Sequence, residues 1–385
     1  MRLYEYEGKE IFTRAGIPVP QGALVRTANE AWGEATRLDK QMVVKAQILG
    51  GGRGLAGGIK VAETAEQAGK IAQKLLTTKL KESHVDCLLV EEKLDIAREV
   101  YMSITVDRSR GGIVAMVSAE GGVAIEEVAK RNPNKIFSFL INPLYGLRGY
   151  EAINLVRQIG LGGEHLTTSA RILSRLYQAF ISCDARLIEV NPLVITSEGE
   201  MVAADARVEI DDNSLFKHPE LQERHLQRID NVWDREAVSG GVNYVDLEGN
   251  IAVMANGAGL AMALLDMVKD GGGSPACFLE TGGGLSKQRM KNGVRLLLKK
   301  AKADPRIKVI LVMARMMISP PDDVAEGLME AIREVEVNTP VVAVMRGRKP
   351  YEQRAKELLK DSGVPIYSDL QEGIRQSIKL AKRED

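Results

Sequence analysis

Five short apolar runs in the last third of the chain, IAVMA (251–255), ACFLE (276–280), KVILVMA (308–314), PVVAVM (340–345) and VPIYS (364–368), are each followed by a stretch with helical apolar spacing. A strand without polar alternation must be covered on both faces. Helices on either side of a parallel sheet do this, so the region from about residue 245 is expected to be a doubly wound α/β domain.

The first half has a different texture. MVVKAQIL, the glycine run GGGRGLAGG and IKVA read as a strand, a tip and a second strand between residues 42 and 62. Helical spacing follows over 64–81, then strands over 87–92 and 99–107. RLIEVNPLVI and MVAADARVEI, joined by TSEGE, form the clearest hairpin, with its centre near Glu198. The charged, turn-rich segment 217–241 is the natural linker. Two domains, 1–235 and 245–385, suit a chain of 385 residues.

Lysine plus arginine number 52 and aspartate plus glutamate 52, so no net field recommends nucleic acid or an anionic membrane as partner. Cys87, Cys183 and Cys277 are dispersed and odd in number, which suits neither a disulfide framework nor a zinc site and points to a reducing cytoplasm. MRLYEYEGKE has the look of neither a secretory signal nor a transit peptide, and no apolar run reaches membrane-spanning length.

Two constellations in the first half suit polyphosphate chemistry. Lys45 lies on the first strand of the glycine hairpin and Arg53 within its tip; glycines let backbone amides approach an anion, and lysine adds a point charge. A mobile surface loop accounts for the same glycines. No GK[ST] opens a helix here, so this is not a P-loop. In the second hairpin, a centre at Glu198 sets Asn191 opposite Asp205 and Glu189 opposite Arg207, all on one face. An amide oxygen and a carboxylate there would suit Mg2+ that keeps waters and shares phosphate oxygens, or form an ordinary cross-strand polar pair.

YEYEGKEIF, VVKAQILGGGRGLAGGIKV, LLVEEKLDIAREVYMSITVDR, EGGVAIEEVA, LIEVNPLVI, ADAR and ANGAGLAM, in this order along nearly the whole chain, resemble the succinyl-CoA synthetase beta-subunit family. The resemblance implies an N-terminal ATP-grasp module followed by a flavodoxin-like CoA-ligase domain. It places Lys45, Gly52, Arg53 and Gly54 on the nucleotide phosphates, with Lys45 and Arg53 acting in catalysis. Glu91, Leu94 and Glu99 fall around the base and ribose, and Asn191 and Asp205 fall on Mg2+.

Asn256, with Gly257 and Gly259, opens a helix at the carboxyl end of the first C-terminal strand, where open α/β sheets place ligands. The resemblance makes Asn256 a contact of the carboxylic acid. The loop ARMMISPPDD departs from the family pattern: Met316 and Met317 stand where it has a glycine pair, and Met317, Ile318 and Ser319 take the substrate-binding positions. Methionine side chains are expected to narrow the approach to the loop amides. Ser319 is expected to cap the next helix, with Pro320 as its first residue and Asp322 and Asp323 opposing an incoming phosphate. Arg315 offers a fork for a carboxylate, sulfonate or phosphate, and Arg346, Arg348 and Lys349 add positive charge where the family's loop is more neutral. ETGGG (280–284) shapes the same edge or is only a flexible connection.

His84, His165, His218 and His225 lack a glycine-rich frame, so the resemblance assigns the phosphorylated histidine, and most of the CoA site, to a separate alpha subunit. Its products would be ADP, phosphate and an acyl-CoA whose acid is succinate or another small acid such as malate or sulfoacetate. A non-catalytic nucleotide-binding or regulatory subunit is the alternative. A self-sufficient carboxylate-amine ligase is a third reading, which the C-terminal domain disfavours.

Overall fold

A computed structural model describes every residue except Gly51, Glu82, Asp361 and 383–385. Gly51, within the glycine run of the first hairpin, therefore lies outside the described residues. The chain forms two compact units, Met1–Pro219 and Glu220–Asp385. Among the described residues no helix is long and apolar enough to cross a membrane.

Among the described residues the first unit holds two large antiparallel sheets and a two-stranded ribbon of Lys79–Leu80 with Ser83–His84. In the smaller, the strands run in the order Gly22–Val25, Leu88–Glu92, Met42–Ala46, Ile59–Ala62. Val44, Ala46, Leu88 and Val90 point to one face and pack against Ala31, Ala35, Ala68 and Ala72 of helices Ala28–Leu38 and Ala65–Leu76. Because successive strand residues alternate, Lys45 and Glu91 are turned to the face away from those helices. The helix over 64–81 is therefore real but ends at Leu76.

The larger sheet is built on Ala185–Thr196 and Ile96–Asp107, flanked by Gly112–Ser118 and Ile136–Ile141. Ala185–Thr196 turns back through Met201–Ala203 and Arg207–Ile210, with Leu193 opposite Ala203 and Glu189 opposite Arg207. That register brackets Asn191 against Asp205, as the hairpin centre requires. Pairing of the same strand with Ile96–Asp107 shifts between Val190 and Leu193, a bulge that frees Asn191 from the ladder.

In the second unit the strand order is Asn243–Asp246, Pro275–Glu280, Ile251–Ala255, Val309–Met316, Val341–Gly347, Ile366–Tyr367. The first is an antiparallel edge and the remaining five are parallel. Val253, Leu311 and Val344 face helices Ala258–Asp270 and Leu370–Ala381; Met254, Val312 and Met345 face Lys287–Ala303 and Pro321–Glu334. Burial of both faces is what the continuous apolar runs demanded.

The segment 217–241 is not an open linker. It forms helices Pro219–Gln227 and Val232–Ser239, and Asn231 caps the second by accepting from Trp233 N at 2.8 Å. Ala237 of that helix is buried in the second unit's core, which draws the segment into the fold.

Candidate nucleotide and acid sites

Helix Glu5–Arg14 begins where Tyr4 N donates to Glu7 Oε2 at 2.8 Å. Its i, i+4 pair, Glu5 and Lys9, is buried, with Lys9 Nζ 2.8 Å from Glu5 Oε1 and 2.5 Å from Glu91 Oε2. Lys45 Nζ stands 3.1 Å from Glu5 Oε1, pairs with Glu91, and donates to the Ala204 carbonyl at 2.8 Å. Arg53 pairs with Glu5 and reaches Asp205 Oδ1 at 3.2 Å. Three cations and three carboxylates thus interlock, drawn from the first helix, the glycine hairpin, its neighbouring strand and the second hairpin.

Charges this close set one another's protonation. Burial alone would raise the Glu5 carboxyl, but Lys45, Lys9 and Arg53 outweigh it and hold Glu5 well below the usual carboxylate range. Burial would likewise lower Lys45, yet Glu5 and Glu91 raise it, so it is a firm cation. Asp205 goes the other way: partial burial and the negative charge of Glu5 push it up, against the pull of Arg53 and Lys45. A carboxylate with a raised pKa beside committed cations is a candidate for a group that serves a ligand.

Cavities flank the network. One of about 400 Å³ lies between the first helix and the small sheet, lined by Tyr6, Pro20, Ala23, Leu89 and Glu91. A smaller one of about 100 Å³ is lined by Glu5, Gly52, Arg53, Asp205 and Arg207. Glu99 lines a third, open space of about 470 Å³ with Glu120, Gly121 and Val123. Asn191 is tied to that loop, accepting from Gly122 N at 2.8 Å and donating to the Val123 carbonyl at 2.9 Å. Gly122 has φ +73°, and a Cβ there would sit 2.4 Å from Glu99 Oε2. Gly122→Ala is expected to cost about 1–3 kcal/mol of local strain and to lift the loop off Asn191. Magnesium-dependent nucleotide affinity, read by calorimetry, is expected to fall while the parent fold is retained.

Of the residues singled out in the sequence, Lys45, Arg53, Glu91 and Asp205 therefore meet in one network, and Asn191 and Glu99 meet at the 119–124 loop. Leu94 is half-buried between the strands that carry Glu91 and Glu99. Glu5 and Lys9 are the residues that sequence reasoning missed. Their signal was two opposite charges four apart on a helix whose core positions Ile11 and Phe12 are also buried.

For magnesium the donor set fits: Asn191 and Asp205 are hard oxygen donors set opposite each other by the hairpin register.

At the carboxyl edge of the second unit's sheet, Asn256 accepts from Arg315 N at 2.6 Å and donates to the Arg315 carbonyl at 3.0 Å. Three expectations for the next loop need correction. Met316 continues the strand, opposite Gly347, and is buried in the core, so only Met317 and Ile318 of the apolar residues reach the surface. Ser319 does not cap the helix; its buried hydroxyl accepts from Leu285 N at 2.9 Å, and Pro320 and Pro321 take the cap and first helical positions. Asp322 is not a bare charge, because Arg354 lies 2.8 Å away. On the neighbouring loop, Glu280 accepts from Gly282 N at 2.7 Å, giving ETGGG a turn of its own.

The ATP-grasp domain family matches residues 2–195 and the CoA-ligase family residues 254–380. The beta subunit of ADP-forming succinate-CoA ligase from Chloroflexus aurantiacus is 39% identical over 385 residues, 100% of both chains. The beta subunit of the GDP-forming enzyme from Thermus thermophilus is 42% identical over 367 residues, 95% of each. Among solved structures, ATP citrate lyase from Methanothrix soehngenii shares the fold, with a TM-score of 0.71 and 16% identity over 98% of this chain and 99% of that one. End-to-end similarity and both domain families in order show that this chain belongs to the succinate-CoA ligase beta-subunit family.

Proposed function

We propose that the chain is the nucleotide-binding beta subunit of an NDP-forming acid-CoA ligase, working in a hetero-oligomer with an alpha subunit that carries the phosphorylated histidine and most of the CoA site. The observation that carries this reading is the convergence of Lys45 and Arg53 with Asp205, beside Asn191 on the facing strand. Two buried cations from a glycine hairpin, beside two oxygen donors, suit a nucleoside triphosphate and its metal.

Lys45 and Arg53 would exchange their carboxylate partners for phosphate oxygens and hold the γ-phosphoryl group in line for attack. Asn191 and Asp205 would hold Mg2+, which when bound draws charge from the phosphate oxygens. Glu91 and Leu94 would border the base and Glu99 the ribose. In the first transfer the bond from the γ-phosphorus to the bridging oxygen of ADP breaks as a bond to the partner's histidine nitrogen forms. The phosphoryl group then passes to the carboxylate of the acid, and CoA thiolate displaces phosphate from the acyl phosphate. Asn256, Met317, Ile318 and Ser319 lie at the edge where the acid would sit, with Asn256 and Ser319 shaping it through backbone contacts. The dispersed cysteines suit a reducing cytoplasm.

The test is CoA-dependent ADP formation by this chain co-expressed with its alpha partner, over Mg-ATP, Mg-GTP and a panel of succinate, malate, citrate, sulfoacetate and monoacids. Turnover that needs CoA and an acid is expected. Nucleotide binding with no acid-dependent turnover would mean a non-catalytic subunit, and turnover without CoA or the alpha partner a carboxylate-amine ligase.

A further inference from the structure

Lys9 is a buried cation that the chemistry above does not use. It lies in the middle of helix Glu5–Arg14, whose Ile11 and Phe12 are packed in the core, and its carbonyl accepts from Thr13 Oγ1 at 2.9 Å. Its ammonium bridges two carboxylates, 2.8 Å from Glu5 Oε1 and 2.5 Å from Glu91 Oε2. The cations that face the phosphates hold those same two groups: Lys45 pairs with Glu5 and Glu91, and Arg53 pairs with Glu5. A polyphosphate that takes Lys45 and Arg53 therefore deprives Glu5 of two partners and Glu91 of one. The Glu5 and Glu91 side chains are only 2% and 3% exposed, and an ionised carboxylate stranded in such a place is strongly destabilising. Lys9, fixed on a packed helix, stays in contact with both. Gln47 adds a neutral donor, its Nε2 3.4 Å from Glu5 Oε2 and its Oε1 accepting from Tyr6 N at 3.1 Å. Glu5 and Arg53 line the smaller cavity, whereas Lys9 borders the larger one with Glu91.

We propose that Lys9 is a positioning residue for nucleotide binding, the counter-cation that keeps Glu5 and Glu91 in place while a polyphosphate takes Lys45 and Arg53 from them. Glu5 is then the group that a phosphate oxygen displaces. The assignment rests on the nucleotide-binding reading of this site and adds a residue to it. The charges of the network make it testable, because three cations face three carboxylates. Lys9→Met leaves a carboxylate in excess, Glu5→Gln leaves a cation in excess, and the double variant is balanced again. If Lys9 acts through Glu5, removing Glu5 restores what the loss of Lys9 took away. A Lys9 that itself bonded the phosphates would leave the double variant as weak as Lys9→Met. A Lys9 that served the fold alone would make it weaker still, since two independent buried losses add.

The experiment measures Kd for Mg-AMPPNP, an analogue that cannot transfer its terminal phosphate, by calorimetry on the complex with the alpha subunit. The parent, Lys9→Met, Lys9→Arg, Glu5→Gln and the double variant are compared at one ionic strength. Kd is expected to rise about tenfold or more in Lys9→Met, and to be no higher than the parent's in Glu5→Gln. In the double variant and in Lys9→Arg it should return to within about threefold of the parent. An unchanged Kd in Lys9→Met, or a double variant that binds no more tightly than Lys9→Met, would overturn the assignment. Where Lys9→Met does not fold, the charge-balanced double variant decides: Kd within about threefold of the parent's is expected, and weaker binding overturns the assignment. A parent complex that does not bind Mg-AMPPNP overturns the nucleotide reading and this assignment together, whereas a parent that binds it no better than Lys9→Met overturns the assignment alone.

Discussion

Asp205→Asn is expected to leave the fold of the first unit at least as heat-stable as the parent while nearly eliminating nucleotide-dependent chemistry. The environment of Asp205 disfavours its charge, through partial burial and through Glu5, so an uncharged isostere relieves a repulsion in the resting network. The same substitution removes the carboxylate set opposite Asn191, and losing a metal's charge stabilisation of several kcal/mol lowers phosphoryl transfer by about 10²- to 10³-fold. Differential scanning fluorimetry with and without Mg-ATP checks both parts. The parent should gain thermal stability from Mg-ATP, and Asp205→Asn should gain little from a starting Tm no lower than the parent's. A large drop in the ligand-free Tm would show Asp205 to be a structural ion-pair partner.

Glu5→Ala is expected to have the opposite profile. Glu5 is the carboxylate shared by Lys9, Lys45 and Arg53, and its removal leaves buried positive charge uncompensated. Breaking a buried ion network in this way costs about 3–5 kcal/mol. For a unit of this size that corresponds to a Tm lower by roughly 10 °C. The pH dependence has a definite sign. Because folding depresses the Glu5 pKa, its stabilisation is fully present above the unfolded carboxylate value and is lost as the solution is acidified through the folded one. The parent should therefore lose stability steeply at pH below about 4, and Glu5→Ala should have a shallower acid limb. Denaturant titrations from pH 3 to 7 measure the difference.

Legibility in the sequence followed the range of the interactions concerned. The second hairpin was readable because alternation and a glycine turn fix its register locally, and Asn191 and Asp205 fell opposite each other for that reason. The parallel sheet was readable because its strands admit no polar residue on either face until the edge. Parity along the strand Val309–Met316 also carried information that was not used: Met316 shares a face with Ala314 and Val312, which makes it a core residue, and Met317 the first outside. Ser319 was misread because two prolines follow it, and either can open a helix. For Glu5 and Lys9 the spacing of two opposite charges four apart shows a helical pair but not its burial, which depends on partners such as Lys45 and Glu91, 40 and 82 positions away in the chain. The helices within 217–241 were missed because their charged residues masked the small apolar face that the second unit buries.

The most direct test of the account is transfer of label from γ-labelled Mg-ATP in the complex with the alpha subunit, comparing the parent with Lys45→Met. The account predicts acid-labile label on the alpha subunit's histidine, discharged by CoA with acid, and a loss of about 10²-fold or more in transfer rate for Lys45→Met. Label that stays on this chain, or transfer that is unchanged when Lys45 is replaced, would contradict it.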